Sequence, residues 1–390
     1  MVAGWIAVAG PFRLIAQEPV LPPLLDRKEV QAPAEASNPY TVQPLVRQRP
    51  SFTSYSTGAS GPGINYYGRY PFLGGALLPQ TGWPDVFLDH FAPRLDRVAN
   101  LWFVQTGVAP QHMGSDVWPC LKVLHFDADG HLVEVPPQQM LAQAAGHPVY
   151  IQVQGNLTTS DRSVGGLLWA HHWFERHGAL PPDAVLIAFD WPAARVDWLK
   201  LADVNEKMHR AFVAGYHLAQ LLEAFPPESR ICLLGHSYGC QVIGAALHLL
   251  AGGCLSSRRC ERPVCFSADC PELHLHAVFV DAAIDHDWLN PGARLGHALQ
   301  RCEALLNLYD SLDKVLVYYP LLCAGGHHGA LGRVGLLPRD HAALGPLAER
   351  VEEHDLKPLV GRSHTLLNAV DKPEVAEWIA PYTWARPAGP

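Results

Sequence analysis

The sequence predicts an α/β protein: a doubly wound, mostly parallel sheet that opens with an antiparallel N-terminal hairpin. Three observations lead there. Short apolar runs alternate with helix-compatible stretches from residue 101 almost to the C-terminus. One run, Ile231 to Leu234, enters the pentapeptide Gly235-His236-Ser237-Tyr238-Gly239, and apolar residues at helical spacing follow it (Val242, Ile243, Ala246, Leu249, Leu250). A serine, an aspartate and a histidine at 237, 313 and 364 each come just after such a run, in that chain order.

Leu101 to Gln105 reads as the first strand; Leu121 to Phe126, a turn at Asp127-Ala128-Asp129-Gly130, and His131 to Val135 read as a hairpin. Val149 to Val153 is apolar enough for a central strand and ends at Gln154-Gly155-Asn156-Leu157. A helix is expected from Val164 to His177, with Ser163 as N-cap and Gly178 as its stop. Ala184 to Phe189 is the next strand, ending at Asp190-Trp191-Pro192. Val204 to Phe225 then carries Met208, Ala211, Phe212, Gly215, Leu218 and Leu222 on one helical face, and Pro226-Pro227 ends it. Beyond the pentapeptide, Ala277 to Val280, Ala304 to Tyr309 and the more polar Val351 to Leu356 are further strands, and a terminal helix starts near Pro373. Right-handed crossovers make these strands parallel and gather their C-terminal ends on one edge, where ligands of such sheets bind.

Composition sets the bounds. The 390 residues suffice for one large domain and an appendage: residues 1–95 read as a Pro-rich, partly irregular N-terminal extension and 96–390 as the catalytic domain. A net charge of −8 with no Lys/Arg-rich run argues against a nucleic-acid surface. The apolar stretch Val2 to Ala16 contains Pro11 and Arg13, is too short for a bilayer span, and lacks a positive n-region; cytoplasmic residence and export through this weak signal-like segment both remain open. Of nine cysteines, Cys232 and Cys240 look like small core residues. Cys254, Cys260, Cys265 and Cys270 are separated by five, four and four residues; the first gap is wider than structural zinc uses, so a disulfide-stapled or thiol-containing loop is expected ahead of a zinc site.

The pentapeptide has a chemical logic. Side chains at Gly235 and Gly239 would collide with the adjoining helix and strand, so glycines let a sharp strand-to-helix turn push the Ser237 hydroxyl outward. The turn also aims the Tyr238 N–H at an oxygen that becomes negative during acyl transfer; Asn156, with Leu157 as alternative, is expected to supply the second donor. Serine is a poor nucleophile at neutral pH, so an imidazole must take its proton and a carboxylate must orient that imidazole. Among 21 histidines, His364 is preferred because it lies in a turn after the last expected strand; His327 and His328 are its rivals. Asp313 is the preferred acid, with Asp310, Asp281, Asp285 and Asp287 as runners-up.

The segments Leu101-Trp102-Phe103-Val104-Gln105-Thr106, Val153-Gln154-Gly155-Asn156, Phe189-Asp190-Trp191-Pro192, Gly235-His236-Ser237-Tyr238-Gly239, Asp310-Ser311-Leu312-Asp313-Lys314-Val315-Leu316 and Ser363-His364-Thr365 resemble the α/β-hydrolase superfamily. The resemblance is strongest to a bacterial group of uncharacterised, esterase-like serine hydrolases and covers about residues 100 to 380. It implies the α/β-hydrolase fold, a triad of Ser237, Asp313 and His364, and a substrate cleft walled by Trp191 and flanked by His236. Many relatives carry His-Gly where this chain has Gln154-Gly155. The expected activity is hydrolysis of a carboxylic ester, less readily a thioester or amide, on a small-molecule acyl substrate without metal or cofactor. An acyltransferase using the same triad and a catalytically silent scaffold are the alternatives.

Overall fold

The computed structural model describes residues 100–385, apart from 108, 110–111, 128–130, 195–199, 257–262, 267–269 and 323–327. The expected N-terminal extension, Cys260, His327 and residues 128–130 of the expected hairpin turn lie outside the described residues. Nine strands form one sheet: β1 (Leu101–Gln105), β2 (Lys122–Phe126), β3 (Leu132–Val135), β4 (Val149–Val153), β5 (Val185–Asp190), β6 (Arg230–His236), β9 (His274–Val280), β10 (Ala304–Tyr309) and β11 (Val351–Asp355). Between β6 and β9 a two-stranded ribbon, β7 (Cys254–Leu255) with β8 (Val264–Cys265), stands apart.

The order across the sheet is β11-β10-β9-β6-β4-β5-β1-β2-β3. From β11 to β1 every pairing is parallel, while β1–β2 and β2–β3 are antiparallel. This is the doubly wound sheet with an N-terminal hairpin that defines the fold class predicted above, the α/β-hydrolase fold.

Side chains alternate along each strand, so the sheet feeds two cores. A short helix, α1 (Pro137–Ala144), adds Met140 and Ala144 to the first of them. On that face Val149, Ile151 and Val153 of β4, with Ile231 and Leu233 of β6, meet the helices α3 (Lys200–Glu223) and α4 (Tyr238–Leu250). Tyr150 of β4, with Cys232 and Leu234 of β6, meets α2 (Ser160–Arg176) and the C-terminal helices α5 (Leu366–Val370) and α6 (Pro373–Ile379) on the other. The helix after β4 therefore covers one face and the helix after β6 covers the opposite face. Their divergence opens the sheet edge between β4 and β6, the switch point where such sheets place their chemistry.

Two helices start earlier than the sequence reading places them. The helix expected from Val164 begins a turn earlier, at Ser160, with Thr159 rather than Ser163 in the N-cap position. Ser160 Oγ donates to the Asp190 carboxylate at 2.5 Å, a partner at the end of the neighbouring strand, and Ser163 lies fully buried inside the helix. Gly178 does end it, with φ +70°. Likewise α3 starts at Lys200, before the expected Val204.

α3 and α4 approach closely at Gly215, where a Cβ would lie 2.5 Å from the Ala245 Cβ. Cys232 and Cys240 are buried and free, as core residues. Cys254 and Cys265 are joined by a disulfide that closes the β7–β8 ribbon, and Cys270 lies 3.5 Å from Glu223 Oε1. Among the described residues no helix is long and apolar enough to cross a membrane.

Candidate active site

Ser237 sits between β6 and α4 with φ +54° and ψ −119°, a backbone conformation that L-residues rarely adopt. Its surroundings explain how the strain is held. A Cβ on Gly235 would stand 2.7 Å from the Cys240 nitrogen, and one on Gly239 would fall inside the Val153 carbonyl of β4. Only glycines let the helix turn this tightly against the sheet. The Ser237 N–H donates to Val280 O at 3.0 Å, and its carbonyl accepts the N–H of Ala283 at 3.2 Å and of Cys240 at 3.1 Å.

Three elements converge on this serine. His364, in the loop before α5, has its Nε2 3.1 Å from Ser237 Oγ. Its Nδ1 lies 2.5 Å from Asp313 Oδ2, beyond the end of β10. The other Asp313 oxygen accepts the N–H groups of Val315 at 2.6 Å and Leu316 at 2.8 Å, which fixes the carboxylate and leaves Oδ2 facing the imidazole. Asp313 and Ser237 are buried, and the His364 side chain is 11% exposed, enough to meet a ligand from one side.

The alternatives to these residues take other places. Asp310 is buried with Oδ1 accepting the Leu312 N–H at 2.8 Å, so it closes the loop that presents Asp313. Asp285 accepts the Trp288 indole N–H at 2.9 Å, and Asp287 pairs with His328 at 2.5 Å. Asp281 stays nearby, with Oδ2 4.0 Å from His364 Nδ1 and 3.9 Å from His236 Nε2. Burial, then the adjacent Asp313 and Asp310, raise the Asp281 pKa well above the usual carboxylate range. Burial, then the neighbouring His364, keep His236 far below the ordinary histidine range, so it is a neutral imidazole.

The loop after β4 lies against the turn that carries Ser237. A Cβ on Gly155 would be 2.9 Å from the Ser237 Cβ, which puts the next residue, Asn156, at the rim of the serine. Leu157, the alternative second donor, has its N–H given to Ala193 O and to Asn156 Oδ1, both at 2.9 Å. The Asn156 N–H donates to no protein acceptor among the described residues. Tyr238 opens α4, so its N–H lies in the first turn of that helix, beside Ser237.

Trp191 departs from the cleft wall that the sequence suggested. Its ring is 2% exposed within the core, and its Nε1 donates to Gln154 O at 2.8 Å. A large apolar ring at a strand end gains more from burial than from lining a wet groove, and its one polar atom braces the loop instead. His236, the other cleft residue, does lie beside His364, with ring centroids 5.1 Å apart. Lys207, overlooked in the sequence, is buried on α3 and donates to Ala193 O at 3.0 Å and to Ala194 O, with Asp203 3.6 Å away. It thereby holds the segment that binds the Leu157 N–H. The signal was present: a lysine beside Met208 on an otherwise apolar helix face needs partners for its charge.

No protein-family profile and no curated protein matches the chain. Among solved structures, it is similar to a bifunctional GH43-CE protein of Bacteroides eggerthii at 10% identity and TM-score 0.35, over 73% of this chain and 35% of that one. The chain thus spans about a third of that protein's length. It is also similar to esterase B of Lactobacillus rhamnosis carrying a C6-C4 SN3 inhibitor (8% identity, TM-score 0.32, 76% and 91% of the two chains). A third is the Pyrobaculum calidifontis esterase (9% identity, TM-score 0.32, 78% and 95%). These are distant likenesses, and the chemical reading rests on the residues described above.

Proposed function

We propose that this chain is a serine hydrolase that cleaves a carboxylic ester of a small acyl substrate through an acyl-enzyme on Ser237. The observation that carries the reading is the row Asp313–His364–Ser237, joined at 2.5 and 3.1 Å across residues that are 51 and 127 positions apart in the chain. Residues so distant in sequence, aligned beside a strained serine, match the arrangement a proton relay requires.

In this reading Ser237 Oγ attacks the ester carbonyl while His364 Nε2 takes its proton. Asp313 holds the imidazole with Nδ1–H toward the carboxylate, so that Nε2 presents a lone pair, and stabilises the imidazolium that forms. The carbonyl oxygen becomes negative and is held by the N–H groups of Tyr238 and Asn156, each such donor lowering the barrier by about 3 kcal/mol. Collapse breaks the ester C–O bond, and the departing alcohol leaves with the proton from His364. Water then attacks the acyl group, giving a proton to His364, which returns it to Ser237 Oγ as the acyl–serine bond breaks and the acid is released. Neither metal nor cofactor takes part in these steps.

The buried supports favour this assignment: Trp191 on Gln154, Lys207 on the Ala193 segment, and the Val280 and Ala283 bonds to Ser237 keep donors and nucleophile in fixed relation. Pre-set donors are what acyl transfer exploits. A complete relay speaks against a silent scaffold. The placement of the chain in the esterase-like group of hydrolases belongs to the same proposal. Hydrolysis of short-chain nitrophenyl esters, compared between the native chain and Ser237→Ala, tests it.

A further inference from the structure

Backbone strain gathers at the sheet edge that carries Ser237. Of the five non-glycine residues with positive φ among the described residues, three, Leu157, Ser237 and Asp281, follow the neighbouring strands β4, β6 and β9. Leu157 is the unexpected one, because a bulky side chain suits its φ of +61° poorly. The residue is also 41% exposed, so burial of its own side chain does not offset that strain. What holds it is the backbone. Its N–H is shared between Ala193 O and Asn156 Oδ1, both at 2.9 Å, and Ala193 O is in turn held by the Lys207 ammonium at 3.0 Å. A strained residue persists only where its surroundings over-determine it, and such residues cluster where ligands bind.

Exposed apolar surface gathers at the same edge. Of the seven large apolar or aromatic residues exposed among the described residues, all but Val133 fall on two segments. Leu157 follows β4, while Leu312, Val315, Val317, Tyr318 and Leu321 follow β10. The strands β4, β6, β9 and β10 are consecutive and parallel, so both segments leave the edge that presents Ser237, one on either side of it. Leu157 is on the nearer side, since neighbouring strands lie about 4.8 Å apart. Exposed leucines scattered singly are ordinary, but exposed apolar residues grouped around one serine point to an apolar ligand.

We infer that the site takes esters of long apolar acyl chains, and that Leu157 is the specificity-determining residue that meets the chain. This rests on the acyl-enzyme reading. The leaving oxygen must face His364 Nε2, which Asp313 holds from the β10 side, and the carbonyl oxygen must face the N–H groups of Tyr238 and Asn156. The acyl chain is left with the direction toward the loop after β4, where Leu157 stands one residue beyond Asn156. Contact there removes apolar surface of both leucine and chain from water, which favours long acyl groups and adds nothing for an acetyl group too short to reach. Glycine or asparagine would adopt this φ with less strain, but neither offers that apolar surface.

Nitrophenyl acetate and nitrophenyl octanoate, each used below the concentration at which it aggregates, share a leaving group and differ only in the acyl chain. The native chain is expected to cleave the octanoate with the higher kcat/KM. Leu157→Asn is expected to lower the octanoate-to-acetate ratio of kcat/KM by about tenfold or more, chiefly through the octanoate KM, because contact along the chain is made in ground state and transition state alike. Asparagine tolerates positive φ, so the thermal midpoint of the variant is expected to equal or exceed that of the native chain. A merely structural role would instead lower the midpoint and slow both esters alike. A smaller change in the ratio, or a native chain that prefers the acetate, overturns the inference and leaves Ser237 as the nucleophile. A native chain that cleaves neither ester also overturns it, and only if fluorophosphonate labelling fails as well does the acyl-enzyme reading fall with it. Should Leu157→Asn fail to fold, Leu157→Gly, which also takes positive φ, replaces it with the same fall in ratio expected and the same results overturning the inference.

Discussion

The N–H of Ser237 donates to the Val280 carbonyl at 3.0 Å, so the turn that carries this serine is tied directly to the end of the neighbouring strand. The N–H of Ala283 returns to the Ser237 carbonyl at 3.2 Å and closes a second tie. Ser237 is thereby held in a conformation it would not choose alone, and its hydroxyl faces His364 rather than the sheet.

That turn depends on a missing side chain. In Gly239→Ala the new methyl would overlap the Val153 carbonyl of a central strand, where neither backbone can yield. The variant is expected to lose at least about 3 kcal/mol of stability or to fail to fold, since overpacking against backbone lies at the costly end of such changes. Urea unfolding followed by circular dichroism measures it.

The two acids after β10 differ in partner: Asp313 meets His364, while Asp310 accepts the Leu312 N–H. Asp313→Asn leaves a group that no longer fixes the His364 tautomer, so kcat is expected to fall about ten-thousand-fold with little change in fold. Asp310→Ala removes the acceptor of the Leu312 N–H and is expected to cost about 1 to 2 kcal/mol in stability while Ser237 keeps its reactivity. Kinetics and denaturant midpoints on the same two variants check both halves.

The sequence ranks Asp313 ahead of Asp310 by position alone, because the two occupy one short loop with the same chemistry. What separates them is which backbone N–H groups each carboxylate binds, a matter of how the loop turns after β10. The strands, in contrast, were legible: β1, β4 and β10 match the apolar runs because a strand buried on both faces must be apolar throughout. The early start of α2 was hidden because its first serine answers to Asp190, on a strand that comes 30 positions later in the chain. Trp191 was misread for a related reason: an aromatic after a strand looks the same whether it lines a groove or, as here, seals a loop from below.

His217 sets an acid limit on stability. Burial, with a smaller contribution from His112, lowers its pKa from 6.5 to about 4. The unfolded chain therefore binds a proton that the folded chain refuses between those values. Stability falls as pH drops through that window and levels off for this group below about 4, with a total loss of up to about 3 kcal/mol. Thermal midpoints of the native chain and His217→Gln, compared from pH 7 to 4, are expected to converge as the pH falls.

The disulfide between Cys254 and Cys265 encloses a loop with a sequence separation of 11. Closing a loop of that length is worth about 2 to 3 kcal/mol. Cys254→Ser with Cys265→Ser is expected to lower stability by that amount and leave Ser237 labelling intact, because the ribbon lies outside the main sheet. Unfolding curves with and without reductant give an independent value.

Whether His364 activates Ser237 as a nucleophile is read out by fluorophosphonate labelling followed by peptide mass spectrometry. One adduct is expected, on Ser237 of the native chain, forming several orders of magnitude more slowly in His364→Ala and not at all in Ser237→Ala. An adduct that persists in Ser237→Ala, or a folded native chain that takes no label, would show that Ser237 is not the nucleophile.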